Sequence, residues 1–540
     1  MIKEYEFVIV GSGVAGSTVA KRLLEKNRAA SILILEAGPE VEAKNRRYWW
    51  DYVVQANGRE RKAYDFTTDQ PGEGKSVGEN SFLVAGSRVM MYGGSTVHWG
   101  GWSLRFKPED FKLRTNSGDG GDWPISYDDL EKFYCEAERH LAVCGDDNEP
   151  WNVGFTSTGN KVRSEPYPLP PFQWTAPDGE MIEAWKKFNV VPGKMPVARY
   201  RKCLTTGTCK YCPFGSRFSG QYVMDELKKD TRNINFEVKS GAPATRVLTD
   251  DKRRITGVEY LCLETGERET VHAGTVVICS GAYESPKLLM LSRNRYWEDG
   301  IGNDYDLLGR NIVTHSILKV RGRLNHNKER WFQEYDFPTL MSRSFDTEEV
   351  QRKTNKIFLF KNRGLPNVDL AGLMISGKNR KQIDDILTGS RQQELQAFME
   401  EKSRPENRLT LARGRNRFGL PKMKINFSRP AKTQQNGEEW LNTMEEMVLA
   451  MGYSVDKAAD PTGRKKPYVN MHIQEPGGHH ATGTCRMGES PDEGVVDENL
   501  LVFGTKNLYV CSNAVFPSGS AVNPTLTLTA LAFRLGDHLS

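Results

Sequence analysis

Three glycines and one acidic residue near the start of the chain have the spacing of a dinucleotide-binding turn. Gly11, Gly13 and Gly16 follow the apolar run Phe7–Val10, and Glu36 ends a second apolar run. The first glycine permits a tight turn, the second lets the backbone approach a pyrophosphate, and the third lets a helix pack against a strand. Glu36 can accept hydrogen bonds from ribose hydroxyls. The motif fits FAD and NAD equally, but the chain has no second such turn, which favours a flavoprotein that meets its substrate directly.

A cluster of three cysteines is the second group that could do chemistry. Cys203, Cys209 and Cys212 lie within ten residues, and Pro213 follows the last of them. Three thiolates so close together suit an iron–sulfur cluster, and a [3Fe–4S] centre needs only three protein sulfurs. A fourth ligand from elsewhere would give a [4Fe–4S] cluster, and zinc would also need one. A disulfide with one spare thiol is the remaining alternative.

Strands and helices must alternate along the chain to position these residues. Continuous apolar runs predict buried parallel strands, and segments with helical spacing follow several of them. Because these segments lie at the start, middle and end of the chain, they predict one doubly wound α/β domain assembled from distant parts. The predicted strands are 7–10, 31–35, 275–280 and 508–511, and the predicted helices are 12–26, 285–292 and 525–539.

Two long stretches do not follow this alternation. Residues 145–235 are rich in Pro, Gly and aromatic residues. Residues 316–469 contain short strand candidates such as Ile317–Arg321 and Arg408–Leu411, which predict an inserted antiparallel layer with helices on one side. The predicted division is a nucleotide-binding domain from 1–144, 236–315 and 470–540, a cap insertion at 145–235 that carries the three cysteines, and a substrate-binding domain at 316–469.

Composition excludes several classes of protein. The 540 residues are 38% hydrophobic and 26% charged, with 10% aromatic residues, which is typical of a globular protein rather than a disordered one. No apolar run approaches the roughly 18 residues of a membrane span. The net charge of +5 is dispersed, so nothing indicates nucleic-acid binding. The first residues lack the features of a signal peptide, and we expect a cytoplasmic protein unless a partner carries it across a membrane.

Several further segments resemble the motifs of the glucose–methanol–choline (GMC) oxidoreductase family. Together with the glycine turn they follow the family's order along the whole chain, apart from the two long stretches. The resemblance implies an α/β fold in which a Rossmann-like FAD-binding domain carries an inserted antiparallel-sheet substrate domain. The segments are 86–101, 280–286, 308–311, 480–488, 508–513 and 522–524.

The resemblance also implies alcohol oxidation at the flavin. The family's catalytic pair matches His480 and Asn523: His480 would remove the hydroxyl proton while hydride passes from the neighbouring carbon to flavin N5. A neutral imidazole is suited to take that proton near neutral pH, and Asn523 can donate a hydrogen bond to the developing alkoxide. His479 is the second choice for the base, and His315 is interpreted as structural. The implied FAD contacts add Gly93, Gly94, Ser95, His98 and Asn513 to the glycine turn.

Two features make the resemblance more specific within the family. They are the loop around His98 and the cysteine cluster. The loop is similar to the flavin-contacting loop of pyranose oxidases and of bacterial membrane-associated sugar dehydrogenases, some of which bond a histidine there to the flavin. His98 is therefore either a covalent flavin ligand or a residue packed beside the ring. A similar cysteine triplet occurs in FAD-dependent glucose, fructose and gluconate dehydrogenases. Those enzymes pass electrons to a cytochrome or quinone and reach the periplasm with a small signal-bearing partner, and the resemblance implies both here.

The combination is most similar to glucoside 3-dehydrogenases, which oxidise the C3 hydroxyl of a pyranose to a ketone. Gluconate, glucose, fructose or polyol dehydrogenase activity is the nearest alternative. An oxygen-dependent pyranose oxidase with structural cysteines, and a lyase with a structural FAD, are the others. Tyr92, Trp99 and Trp102 offer flat apolar faces that we expect to pack against a sugar ring.

Overall fold

The structure is a computed structural model of the chain. His98, Cys209 and Cys212 lie outside the residues that the structure describes. The described residues are 4–40, 74–78, 84, 87–97, 99–199, 203, 215–324, 335, 337–362, 373–374, 376–389, 391–455, 471–474 and 478–540.

The strands are numbered in chain order. They are β1 Glu4–Val10, β2 Ile32–Leu35, β3 Gly74–Val77, β4 Val143–Cys144, β5 Gly193–Lys194, β6 Val197–Ala198, β7 Phe236–Lys239, β8 Ala244–Thr249, β9 Ile255–Leu261, β10 Arg268–Ile278, β11 Ser316–Leu324, β12 Leu340–Ser342, β13 Ile357–Asn362, β14 Arg391–Met399, β15 Arg408–Arg415, β16 Pro421–Asn426, β17 Ser454–Val455, β18 Met471–Gln474 and β19 Leu508–Val510.

The α-helices are numbered in the same way. They are α1 Val14–Lys26, α2 Leu113–Ser117, α3 Tyr127–Leu141, α4 Ala176–Lys186, α5 Gly220–Lys229, α6 Gly281–Leu291, α7 Glu348–Lys353, α8 Arg380–Gly389, α9 Ala431–Leu449 and α10 Thr525–His538. Short three-ten helices occur at Gly94–Val97, Pro108–Phe111, Pro150–Asn152, Gly478–His480 and Asn513–Val515.

A parallel sheet forms the side of the molecule that carries the glycine turn, which we call the cofactor side, and it confirms the predicted fold class. Its order is β7-β2-β1-β10, and β19 continues it beside the second half of β10. In chain order this is 3-2-1-4-5, the arrangement of a doubly wound dinucleotide-binding fold. The apolar strands Ile32–Leu35 and Val8–Val10 are buried because helices cover the sheet. The antiparallel strands β9 and β8 extend one edge.

An antiparallel sheet forms the other side, as the pattern of 316–469 predicts. Its order is β17-β11-β14-β13-β12-β5, with β18 also paired to β11. Along β14, Leu395, Ala397 and Met399 face a core shared with α9 and α4. Phe398 alternates with them and packs into the core of the cofactor side. Strand β5 and helix α4 come from the stretch 145–235, so part of that stretch packs with this sheet; the domain boundaries themselves stay predictions.

The strand candidate Arg408–Leu411 does not join the large antiparallel sheet. It lies in β15, which pairs with β16 and, through it, with β3 in a separate small sheet. This hairpin projects toward the cofactor side, where residues 416, 418 and 420 at its tip line the main cavity.

A cluster of buried charged side chains connects the cofactor side with the side formed by the antiparallel sheet. The Lys356 ammonium, which precedes β13, contacts the Asp110 carboxylate and lies 3.0 Å from Asp346 Oδ1 and 3.8 Å from Glu400 Oε1. All four side chains are fully buried. Asp110 belongs to the three-ten helix before α2, so these ion pairs fix the two sides relative to each other.

Candidate active site

A cavity of about 540 Å³ lies between the two large sheets. One end is at the carboxyl ends of β1, β2 and β10, where Gly11, Glu36 and Cys279 line it. The other end is closed by His480, Asn523 and residues of the antiparallel sheet. A ligand site at the carboxyl ends of parallel strands, where the strand order reverses, is the position expected for a doubly wound fold.

The glycine turn has the geometry that its sequence predicts. Gly11 has φ +103°, and a Cβ there would lie 2.9 Å from the Cys279 carbonyl oxygen. A Cβ on Gly16 would lie 2.0 Å from the Gly11 carbonyl oxygen, so only glycine allows α1 to start this close to the turn. Gly13 lines the cavity at the start of α1. Gly16 lies outside that lining and acts through packing.

Glu36 is held as a fixed acceptor at one end of the cavity. Its Oε2 accepts hydrogen bonds from the Ser12 backbone N–H at 3.0 Å and the Ser12 hydroxyl at 2.7 Å. Its Oε1 accepts from the Gly38 N–H at 2.9 Å. Burial raises the pKa of Glu36, although these hydrogen bonds act in the opposite direction.

The loop 87–97 crosses the turn and forms another wall of the cavity. Gly94 and Ser95 line the cavity, whereas Gly93 lies behind it and donates its N–H to the Ser12 hydroxyl at 2.9 Å. Tyr92 is fully buried and its hydroxyl donates to Asp225 at 3.0 Å, so it does not offer a face to a sugar.

Two asparagines line the cavity with unsatisfied acceptors. The Oδ1 atoms of Asn513 and Asn523 are buried and have no hydrogen-bond partner among the described residues. Buried polar atoms without partners are rare and mark places where a ligand completes the hydrogen bonding. With the fixed Glu36 carboxylate, the glycine-lined turn and the cavity size, these atoms fit the FAD that the sequence motifs imply.

A hydrogen-bonded chain of side chains closes the far end of the cavity. Asn523 Nδ2 lies 3.1 Å from His480 Nε2, and His480 Nδ1 lies 2.9 Å from His315 Nδ1. His315 Nε2 lies 2.7 Å from the Ser520 carbonyl oxygen. His480 is in the three-ten helix Gly478–His480, and His315 directly precedes β11. The predicted pair, His480 and Asn523, is therefore in contact, and His315 is the third side chain of the hydrogen-bonded chain.

The carbonyl of Ser520 assigns the protons along this chain. A carbonyl can only accept, so His315 Nε2 carries the hydrogen and His315 Nδ1 is an acceptor. His480 must then donate from Nδ1, which leaves a lone pair on His480 Nε2. That nitrogen accepts from Asn523 Nδ2, on the cavity side. The chain thus holds His480 in the tautomer that can take a proton from a ligand.

Both histidines are held neutral. Burial lowers the pKa of His480 well below its usual value, and His315 and His479 lower it further. Burial also lowers the pKa of His315 to about 4, against the opposing effect of its bond to the Ser520 carbonyl. A neutral imidazole is the form that accepts a proton. His479 is exposed, so the geometry favours His480 as the base.

Aromatic rings form the wall beside the histidine pair. Phe398 stacks on His315 with ring centroids 5.2 Å apart and meets His480 edge-on at 5.2 Å. Trp102 also stacks on Phe398, with ring centroids 5.6 Å apart. Trp102, Trp99 and Phe398 all line the cavity. Of the three aromatic residues expected to face a sugar, Trp99 and Trp102 therefore line the cavity, and their contact with a sugar stays a prediction.

The cysteine cluster is described only in part. Cys203 is half-buried and packs against the main hydrophobic core. Within the ranges that the structure describes, no three His, Cys, Asp or Glu side chains are grouped so that they could hold a metal ion. No helix in those same ranges is long and apolar enough to cross a membrane.

Sequence reasoning missed two members of the site. His315 follows the motif 308–311 by a few residues, and its position there was the only signal of a role. Phe398 is one aromatic residue in an ordinary strand pattern. Its contact with both histidines depends on how β14 crosses the cavity, which no local pattern records.

Comparisons with known proteins agree with this geometry. A family model described as GMC oxidoreductase matches residues 403–532, and a second model of that description matches residues 180–317. The fructose dehydrogenase large subunit of Gluconobacter japonicus is 25% identical over 99% of this chain and 97% of its own length. The C-glycoside 3-oxidase of Microbacterium trichothecenolyticum is 24% identical over 99% of this chain and 96% of its own. The crystal structure of pyridoxine 4-oxidase from Mesorbium loti has a TM-score of 0.65 and 18% identity, and covers 99% of each chain.

Proposed function

The chain belongs to the GMC oxidoreductase family and is an FAD-dependent oxidoreductase acting on CH–OH groups, and we propose that it is a sugar dehydrogenase. Its reaction is the oxidation of a ring hydroxyl of a glycoside to a ketone. The observation that carries the proposal is that His480 Nε2 has no hydrogen, because the chain Ser520–His315–His480 places the hydrogen on Nδ1. At the cavity wall this nitrogen accepts from Asn523 Nδ2. The sugar-specific relatives, one of them acting at position 3 of a glycoside by its name, support the substrate class.

The residues of the site divide the chemistry among them. FAD, when bound, supplies the acceptor for the two electrons of the alcohol. The substrate hydroxyl replaces Asn523 Nδ2 as the donor to His480 Nε2, which takes the hydroxyl proton. The released Asn523 amide hydrogen-bonds to the substrate oxygen and orients it. The rings of Trp102 and Phe398 pack against the apolar face of the sugar and exclude water. Glu36, Gly13 and Asn513 would hold the cofactor.

An anaerobic absorbance spectrum tests this proposal. We expect a methyl glucoside to bleach the flavin bands of the wild-type protein. The variant His480→Ala should keep its flavin but lose 100- to 10,000-fold in the rate of bleaching, about the contribution of a general base. Bleaching at the wild-type rate in His480→Ala would contradict the assignment of the base. A panel with gluconate, glucose, fructose and sorbitol identifies the substrate if the glucoside does not react.

We further propose that Cys203, Cys209 and Cys212 hold an iron–sulfur cluster that carries electrons to a cytochrome or quinone. The support is the spacing of three thiolates, which matches the needs of a [3Fe–4S] centre. Iron and sulfide analysis of the purified protein, with Cys209→Ser and Cys212→Ser beside it, tests this. About three irons per chain are expected in the wild type and none in the variants.

An oxygen-dependent sugar oxidase is the second candidate, and the oxidase among the relatives favours it. Peroxide formed in step with sugar consumption, in a protein without iron, would establish it.

For the dehydrogenase we propose export to the periplasm with a small signal-bearing subunit. Fractionation of the native host with an antibody to this chain tests that location. We also propose that His98 is bonded covalently to the flavin. Retention of flavin by the denatured protein tests this bond.

A further inference from the structure

Ser520 lies beside the histidine pair, and its hydroxyl plays no part in the proposed chemistry. Its side chain is buried, and its hydroxyl donates to Asp110 Oδ2 at 2.9 Å and accepts from the Val522 N–H at 3.4 Å. Its backbone carbonyl accepts the hydrogen of His315 Nε2 at 2.7 Å. One residue therefore connects the histidine pair with a buried carboxylate.

Asp110 is a rigid anchor for this residue. Its other oxygen, Oδ1, pairs with the Lys356 ammonium, which is also paired with Asp346. Breaking a buried ion pair leaves an uncompensated charge and is strongly unfavourable, so such pairs hold a fixed geometry. The acceptor that Ser520 meets is thus fixed by ion pairs spanning both sides of the molecule.

The loop that carries Ser520 also carries Asn523, which contacts His480 Nε2. The position of this loop therefore sets both ends of the hydrogen-bonded chain. A cavity of about 10 Å³, room for about one water molecule, borders His315 and is lined also by His480, Ser520 and Thr482.

We propose that Ser520 is a positioning residue, through which the buried ion cluster around Lys356 sets the tautomer of the base. The hydroxyl fixes the loop, the carbonyl of the same residue fixes the proton on His315 Nε2, and His315 then fixes the proton on His480 Nδ1. The inference rests on the proposed role of His480 as the base.

Ser520→Ala removes the hydroxyl and leaves the carbonyl in place. Ser518→Ala is a matched control, because Ser518 is equally buried in the same loop. Its hydroxyl accepts from Trp123 Nε1 at 3.0 Å and donates to the Asp110 backbone carbonyl at 3.2 Å, but it does not touch either histidine. Both variants lose one buried hydroxyl, so a purely structural effect should be similar in the two.

The first readout is the pH dependence of anaerobic flavin bleaching by sugar. For Ser520→Ala we expect a rate about tenfold lower, the equivalent of one hydrogen bond. The acid limb of the pH–rate profile should move upward, because a loosened loop reduces the burial that lowers the pKa of His480. Ser518→Ala should keep the wild-type limb although its melting temperature falls. A wild-type limb in Ser520→Ala, or an equal shift in Ser518→Ala, would overturn the inference.

The second readout does not use turnover. In protein labelled with ¹⁵N-histidine, His315 should show a slowly exchanging Nε2–H signal, assigned by its loss in His315→Phe. We expect this signal to disappear in Ser520→Ala and to persist in Ser518→Ala. Its persistence in Ser520→Ala would refute the positioning role. If the wild-type flavin is not bleached by any sugar, the proposed function fails, and this spectrum still decides the inference.

Discussion

Replacing His315 with phenylalanine separates the positioning of the base from the base itself. The substitution keeps a ring stacked on Phe398 but removes both nitrogens, so the 2.9 Å bond to His480 Nδ1 and the 2.7 Å bond to Ser520 are lost. One neutral hydrogen bond is worth about 0.5–1.5 kcal/mol. At about 1.4 kcal/mol per factor of ten, the preference of His480 for its productive tautomer falls about 2- to 12-fold.

We therefore expect kcat/KM of His315→Phe to fall by about 2- to 12-fold, against 100- to 10,000-fold for loss of the base. The acid limb of kcat/KM should also move upward. Burial is the main reason for the low pKa of His480, but His315 contributes, and removing that contribution raises the pKa toward its usual value. The assay is stopped-flow flavin reduction under anaerobic conditions between pH 4.5 and 8.

His140→Phe is the matched control for this experiment. His140 is another histidine whose pKa burial lowers, and its ring packs against Phe218 and Phe533 away from the cavity. It should lose thermal stability without a change in the acid limb. A loss in His315→Phe as large as that in His480→Ala would show that His315 is itself the base. An unchanged rate and an unchanged limb would refute the assignment of the tautomer.

Three further changes test the turn, the aromatic wall and the ion cluster. Gly16→Ala places a Cβ 2.0 Å from the Gly11 carbonyl oxygen, so the purified variant should contain almost no flavin by absorbance; full occupancy would contradict the turn geometry. Phe398→Leu removes a ring that stacks on both Trp102 and His315. KM for the sugar should therefore rise several-fold more than kcat falls, and a change in kcat alone would argue against packing of this wall on the sugar. Burial raises the pKa of Glu400 to about 7, so its stabilising contribution is present at low pH and is lost as pH rises through 7. Glu400→Gln should have nearly the wild-type unfolding free energy at pH 5. At pH 8 its unfolding free energy should be higher than that of the wild type, by on the order of 3 kcal/mol. A gain in stability at pH 5 instead would contradict the direction of the pKa shift.

The cofactor side of the molecule was predictable because its signals are local. The apolar runs at 7–10, 31–35 and 275–280 are buried strands for the simple reason that both faces of a parallel sheet are covered. The helix predicted at 285–292 instead covers Gly281–Leu291. Pro286 is its sixth residue and has no N–H to donate to the Ala282 carbonyl, which accepts from the Thr484 hydroxyl at 2.6 Å instead. Gly11 and Gly16 were identified by spacing, and their backbone contacts explain that spacing.

The environment of the base was not predictable in the same way. His480 and Asn523 could be found by resemblance, but the proton on His480 is set by His315 and Ser520, which are 165 and 40 positions distant from it. Nothing in the residues around Ser520 records that its carbonyl meets a histidine. The same holds for Phe398 and for Asp110, since their contacts arise only where two sheets from separate parts of the chain meet.

The parallel sheet also constrains the order in which a ribosome can complete this protein. Strands β1 and β2 emerge early, but β10 cannot gain its partner β19 until residues 508–510 have been made. A nascent chain can therefore form the glycine turn long before it has His480 or Asn523. During that interval one edge of β10 is open, and pairing across so many residues is slow. We expect this edge to be where chaperones bind during synthesis, and premature termination to leave a nucleotide-binding fragment without a base.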